Sequence, residues 1–318
     1  MRAALLLLVG CKSAMPLDGH AWVSRDRTTQ VIKSEREIYA LHAGQTIPLA
    51  GDCMPKEVDS IEILGDRVLA LDWHMTGSIY HSTGAVLDTA CMFDLKTRKF
   101  ESFDDVFPGV QLPDRTSNTT FLVGERTGWI YGHATIYDVP TKAQHPIPEL
   151  ARDGCDVVET DGKARIACVE YRDQQPRVVV LTLSTAAFPP TENARDVIAL
   201  DDAKQLRLSR DAARLALWSS SDAAPRSGVI VDLATSRRHP IPVAIRALDF
   251  DVAGAQLAVV LQPDSTRDGD IVVFDLGASG LTERKRIHVA TDAPLDEFAW
   301  LADGTFRIGS DTASRVVR

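Results

Sequence analysis

A chain of 318 residues with 45% hydrophobic positions is long enough to bury a sizeable core, either as one large all-β domain or as two smaller ones. Its formal net charge of -9, from 35 basic and 44 acidic residues, argues against a general phosphate-backbone binder, whose affinity comes from clustered Lys and Arg. Nucleic acid is therefore not expected as a partner, and the acidic balance reads as solubility.

The first eleven residues place one positive charge at Arg2 before an apolar run from Ala3 to Val9. The run is too short to span a bilayer and has the form of a signal peptide over residues 1–10. Leu8-Val9-Gly10-Cys11 resembles the lipobox of bacterial lipoproteins, where small residues precede a Cys that is acylated and becomes the mature N-terminus. The resemblance implies lipidation at Cys11, a tether over 11–17 and one domain over 18–318. With Lys12 rather than Asp in second place it also implies an outer-membrane address facing the periplasm. The alternative is a buried N-terminal strand with an incidental Cys.

Beyond the leader, short apolar runs are separated by turn chemistry, which is the period of strands. Turns between the first two strands of successive units are expected at Asp26-Arg27, Gly65-Asp66, Arg126-Thr127, Asp161-Gly162, Asp211-Ala212, Ala253-Gly254 and Asp303-Gly304. Between Trp73 and Ala85 the chain reads WHMTGSIYHSTGA, polar and Gly-rich, and is expected to protrude as a loop between the second and third strands of its unit.

Setting Cys11 aside leaves Cys53, Cys91, Cys155 and Cys168, an even number suited to an oxidising compartment. Asp161-Gly162 is a strong hairpin signal, and a two-residue turn there puts Cys155 opposite Cys168 on a non-hydrogen-bonded pair, within disulfide reach. Cys53 with Cys91 follows by elimination.

A third-strand signature recurs as Phe93-Asp94-Leu95, Tyr137-Asp138-Val139, Val231-Asp232-Leu233 and Phe274-Asp275-Leu276, with Leu181-Thr182-Leu183 in the gap. Positions 94, 138, 182, 232 and 275 lie 44, 44, 50 and 43 apart. A period in the forties with about four strands per unit predicts an all-β chain folded as a β-propeller, seven-bladed with mostly four-stranded blades. The last unit has only three strands, ending in Val316-Val317, so its outer edge is either open or covered by residues near Leu17 to Val23.

The segments Leu208-Ser209-Arg210-Asp211 with Leu215-Ala216, Phe250-Asp251 with Gly254 and Leu257-Ala258, and Trp300-Leu301-Ala302-Asp303-Gly304 resemble the repeat of TolB-like and WD-repeat propellers. In that repeat a Ser-Pro-Asp-Gly turn precedes a Leu-Ala strand. The Pro is missing here, and no Gly-His or Trp-Asp pair is present. The resemblance implies fold and little about activity.

No G-x-S-x-G elbow, H-E-x-x-H, P-loop or G-x-G-x-x-G occurs. His74, Met75 and His81 could face a soft metal, and Asp264, Asp268 and Asp270 in PDSTRDGD have the composition of a cation loop. Solvent-exposed loop histidines and an ordinary acidic turn are the simpler readings, so neither a metal nor a cofactor is expected. His145-Pro146-Ile147-Pro148 and His239-Pro240-Ile241-Pro242 repeat an HPIP motif on two outer strands, where Pro discourages further pairing. Of Trp22, Trp73, Trp129, Trp218 and Trp300, most are expected to pack between blades; Trp73 with Tyr80 could instead anchor a partner.

These residues point to a monomeric, non-enzymatic protein-binding module held at the envelope by its lipid. Trp73, His74, Met75, Tyr80 and His81 form its expected contact loop, and a periplasmic or envelope protein is its expected partner. The alternatives are an immunity or inhibitor lipoprotein against a periplasmic toxin, and a propeller-fold lyase or hydrolase.

Overall fold

The computed structural model describes residues 20–318 except 25, 35–36, 56, 59, 77–83, 103–111, 114–120, 127–132, 139–142, 152–153, 161, 173–174, 186–189, 200–204, 220–226, 262–267, 291–296 and 311–312. The strands fall into antiparallel sheets that follow one another along the chain. Blade 1 contains β1 (His20–Val23), β2 (Thr29–Lys33), β3 (Ile38–His42) and β4 (Gln45–Pro48). Blade 2 contains β5 (Ser60–Leu64), β6 (Arg67–Thr76), β7 (Gly84–Asp94) and β8 (Lys99–Ser102). Blade 3 contains β9 (Leu112–Pro113), β10 (Phe121–Arg126), β11 (His133–Asp138) and β12 (Ala143–Ala151). Blade 4 contains β13 (Gly154–Thr160), β14 (Lys163–Arg172), β15 (Gln175–Ser184) and β16 (Thr191–Ala199). Blade 5 contains β17 (Gln205–Leu208), β18 (Arg214–Trp218), β19 (Gly228–Asp232) and β20 (Arg238–Ile241). Blade 6 contains β21 (Ile245–Phe250), β22 (Gln256–Leu261), β23 (Asp268–Gly277) and β24 (Gly280–Ala290), and the chain ends in β25 (Glu297–Trp300), β26 (Phe306–Ser310) and β27 (Ala313–Val317).

The architecture is an all-β propeller, but the expectation of seven blades is corrected. Among the described residues six blades are four-stranded, and the C-terminal repeat supplies a three-stranded sheet. The residues expected to cover its edge do not all do so, because His20–Val23 pair with β2 as the innermost strand of blade 1. The ring still closes there. β1 lies against β26 and β27, and Arg307 of β26 donates through Nε (2.9 Å) and Nη2 to Oε1 of Gln30 in β2.

The core is a series of apolar slabs between neighbouring sheets. Val31, Ala40 and Ile47 of blade 1 meet Ile61, Ile63 and Phe93 of blade 2, with Trp22 packed alongside. Leu215 and Leu217 of blade 5 meet Val178 and Val180 of blade 4, while Trp218 packs with Ile245 and Leu248 of blade 6 and Trp300 with Val260 and Ile271. Both faces of a middle strand are therefore buried, as Leu257 to Val260 show with no exposed surface. That explains why these strands read as continuous apolar runs rather than alternating ones.

Recurring sequence signals map onto recurring hydrogen bonds. In blades 1 and 5 a Ser-x-Asp turn folds identically: Ser24 Oγ donates to Asp26 (2.6 Å) and accepts from Thr29 N (2.9 Å), as Ser209 does with Asp211 and Arg214 N. The residue after the Asp, Arg27 or Ala212, takes a left-handed φ of 65° or 54°, and Gly254 and Gly304 hold the same position in the next turns. The apolar-Asp-apolar signature closes β7, β19 and β23 onto the turn between the first two strands of their blades. Leu95 N donates to Asp66 O, Leu233 N to Ala213 O and Leu276 N to Ala255 O, while Asp94 and Asp232 each accept backbone N–H groups two and three residues on.

The register argued from Asp161-Gly162 is the one observed: Thr160 pairs with Lys163 and Cys155 with Cys168. Cys155 and Cys168 are disulfide-bonded with Cα atoms 4.1 Å apart, and Cys53 is bonded to Cys91 at 5.5 Å. The turn expected at Arg126-Thr127 is misplaced. Arg126 ends β10, which pairs with β9 on one side and β11 on the other, so that position joins the second and third strands. The first strand of blade 3 is a two-residue remnant too short to carry a pattern.

Candidate functional site

Seen along the ring axis, the propeller has two unlike faces. One carries the turns between first and second strands and between third and fourth; the other carries the connections between second and third strands and from each blade to the next.

The turn face is bound together by charge. Asp249, at the end of the innermost strand β21, is nearly inaccessible and collects four sheets on one carboxylate. Its Oδ2 accepts Trp300 N of β25 at 2.9 Å and the guanidinium of Arg27 from the blade 1 turn, and its Oδ1 accepts Arg207 Nε of β17 at 3.3 Å. Burial pulls the Arg27 guanidinium below its ordinary value, with Asp249 acting against it; at Arg207 burial is outweighed by Asp249 and then Asp156, and the guanidinium is raised. Asp156 repeats the theme from β13, accepting Leu208 N of the next blade at 2.7 Å. Arginines at the start of second strands then reach sideways. Arg165 donates to Ala212 O and Arg214 to Gly254 O, each capturing the carbonyl of the neighbouring left-handed turn residue.

One constellation on this face has the outline of a nucleophile, base and orienting acid. Thr29 Oγ1 lies 2.7 Å from His42 Nδ1, His42 Nε2 lies 3.3 Å from Asp66 Oδ1, and Lys96 closes on the other oxygen of Asp66. Thr29 has no accessible surface, so no substrate atom reaches its hydroxyl, and the chain ties blade 1 to the turn of blade 2. A groove of about 300 Å³ opens between the outer strands of blades 5 and 6, with Ile230, Leu276 and Leu281 apolar and Arg214, Arg237 and His239 polar. Arg237 Nη1 spans it to Ala278 O at 2.7 Å, and Asp232 is held in its own turn.

The opposite face is raised in blades 2 and 4. β6 and β7 remain paired as far as Thr76:Gly84, and β14 and β15 as far as Arg172:Gln175, whereas β2 and β3 end at Lys33:Ile38 and β18 and β19 at Trp218:Gly228. β6 has 10 residues and β2 has 5, so the blade 2 hairpin stands roughly 16 Å higher at about 3.3 Å per residue. The buried Glu170 braces the blade 4 hairpin by pairing with Arg177 directly across it.

This corrects the reading of Trp73 to Ala85 as a loop. Trp73, His74, Met75 and Thr76 lie in β6, opposite Leu87, Val86, Ala85 and Gly84, after an irregularity at Asp72/Trp73. Ladder hydrogen bonds come from the backbone, so a polar, Gly-containing run continues the hairpin without strand-like alternation. Tyr80 and His81 lie outside the described residues, as does Cys11. The acidic run is corrected in the same way: Asp268 and Asp270 belong to β23, and Asp270 pairs with His288 (2.9 Å) and Arg286 (3.5 Å). Asp264 lies outside the described residues. Both HPIP motifs lie on outermost strands, β12 and β20, with Ile147 and Ile241 buried. Sequence reasoning missed Asp249, Arg27, Arg207 and Arg307, whose partners are 222, 42 and 277 residues away and leave no local pattern.

No protein family and no curated protein matches the sequence. Among solved structures the chain is similar to Hsv2 of Kluyveromyces marxianus (11% identity, 93% of this chain and 89% of that one, TM-score 0.59). It is also similar to Kluyveromyces lactis Hsv2p (12%, 92% and 89%, TM-score 0.57) and to an oligogalacturonate lyase in complex with manganese (13%, 92% and 86%, TM-score 0.55). At these identities the likeness shows the propeller fold alone.

Proposed function

We propose that this chain is a protein-binding propeller, held at the periplasmic side of the cell envelope by acylation of Cys11, that engages an envelope protein through its raised hairpin face without catalysing a reaction. The observation that carries the reading is the asymmetry of the two faces. Asp249, Asp156 and Arg27 are buried near the inner strands and Arg207 is half-buried beside them, and each is spent on holding sheets together. The hairpins of blades 2 and 4 rise above those of blades 1 and 5, and rigid strands present contact residues more firmly than loops do.

The test is capture from a membrane extract with the lipidated protein, in parallel with a variant whose residues 77–83 are replaced by a short Gly-Ser turn and a Cys11→Ser variant. The reading expects one discrete envelope protein to be retained by the wild type and lost with the shortened hairpin, and Cys11→Ser to leave the membrane fraction. Equal retention by the shortened hairpin removes the hairpin face from the account. Fractionation of Cys11→Ser as wild type removes the anchor.

A further inference from the structure

The groove between blades 5 and 6 lies on the outer rim of the ring, away from the raised hairpins, where the turn joining β19 to β20 meets the turn joining β23 to β24. Ile230 gives it a buried apolar wall, and Leu276 and Leu281 pack against the same slab. Its volume of about 300 Å³ is at the lower end of small-molecule pockets. Roughly 150 Å³ of apolar space holds a benzene ring, so the groove has room for one ring or branched chain with a polar group attached.

The charges around this wall do not cancel. Asp232 is already occupied: its Oδ1 accepts the N–H groups of Ala234 and Thr235 and the Thr235 hydroxyl, and these hydrogen bonds, those of Thr235 first, hold its carboxyl below the ordinary value. Arg214 faces Asp232 and spends Nη1 on Gly254 O. Arg237 is different. Its Nη1 donates to Ala278 O across the groove, which fixes the plane of the guanidinium, while the edge formed by Nε and Nη2 has no partner among the described residues. His239 likewise has no hydrogen-bond partner among the described residues, and its Nδ1 lies 3.6 Å from the point that a Cβ on Gly280 would occupy, so the ring reaches the turn of blade 6. An Nε–Nη2 edge matches the two oxygens of a carboxylate.

We propose that this groove binds a small apolar carboxylic acid, with an aromatic or branched body against Ile230, Leu276 and Leu281 and its carboxylate on the free edge of Arg237 and on His239. The apolar wall disfavours phosphate, which would give up hydration there without replacement. A peptide is disfavoured for another reason. Asp232 N donates to Arg237 O, so the alternating bonds of the β19–β20 ladder point Arg238 and Pro240 outward, and Pro240 has no N–H to offer a strand laid along β20. The site is separate from the raised hairpins and does not rest on the reading of that face.

The test is titration calorimetry of the full chain with 3-phenylpropanoate and 4-methylpentanoate, beside the neutral 3-phenylpropanamide, inorganic phosphate and the tripeptide Ala-Ala-Phe with a free C-terminus. At least one of the two acids is expected to saturate a single site, with the amide and phosphate about tenfold weaker or more. Arg237→Gln should weaken the acid about tenfold or more without moving the melting temperature, because Arg237 is exposed. Leu281→Ala, on the opposite wall, should weaken it severalfold, and it keeps the test decisive if loss of the Arg237 contact to Ala278 disturbs the turn. No saturable binding of either acid, phosphate or amide as tight as the acid, or acid binding unchanged in both variants overturns the site. Tighter binding of the tripeptide than of the acids overturns the choice of a free small molecule.

Discussion

The turn face and the hairpin face are built from the same strands and differ in what their polar groups do. On the turn face a carboxylate such as Asp249 is desolvated by packing and repaid by Arg27, Arg207 and a backbone N–H, so its charge is consumed in joining sheets. On the hairpin face the ladders of blades 2 and 4 run on past the ends of those in blades 1 and 5, held by their own backbone hydrogen bonds. The difference teaches where sequence can vary without loss of the ring. A change to the turn face is felt by several sheets at once, whereas a change to a hairpin end is felt by one.

The largest expected effect follows from removing Asp249. Asp249→Ala leaves Arg27 buried without its partner, and breaking a buried ion pair on one side costs about 3–5 kcal/mol. Chemical denaturation should show that loss, and a variant as stable as the wild type would deny the turn face its tying role. Next comes the blade 4 disulfide. Replacing Cys155 and Cys168 by Ala releases a loop with a sequence separation of 13 residues, and by the loop-entropy model this costs about 3 kcal/mol at most. The double variant should melt earlier but retain the propeller's far-UV spectrum.

Smaller effects sharpen the contrast from the other side. Replacing 77–83 by a short turn should change stability by about 1 kcal/mol or less, because closure entropy depends weakly on length. Replacing His74 to Gly84 instead also removes the ladder pairs Thr76:Gly84, Met75:Ala85 and His74:Val86, at about 0.2–1 kcal/mol each, so the two deletions should be distinguishable by melting temperature.

The smallest effect is in acid. At Asp26, burial pushes the carboxyl up, but hydrogen bonds from Ser24 and Thr28 and the charge of Arg210 outweigh it and hold the group below its usual value. A carboxyl depressed by folding contributes stability that is present above its unfolded value, about 3.9, and is lost as pH falls through the lower folded value. Asp26→Asn should therefore flatten the stability profile below about pH 4 and leave it parallel to wild type near neutrality.

What could be read in the sequence was what is local. The Asp161-Gly162 turn fixes the register of its hairpin over seven pairs, and with it the Cys155–Cys168 bond. The Asp of the third-strand signature is legible because the backbone N–H groups it accepts from lie two and three residues on. The HPIP motifs are legible as edges because Pro cannot donate to a further strand. What escaped is set by distance or by backbone alone. Arg27 and Asp249 are joined only by ring closure, β9 is too short to show a pattern, and the extension of β6 through Thr76 follows from a ladder that is indifferent to side-chain polarity.

The claim that the hairpin face meets the partner while the turn face holds the ring is tested most directly by site-specific photo-crosslinking in cells. A photoreactive residue at Thr76, on the blade 2 hairpin, is compared with one at Thr235, in a blade 5 turn on the opposite face. The account predicts a discrete protein adduct from position 76 and none from 235. A discrete adduct from 235 with none from 76 would contradict it.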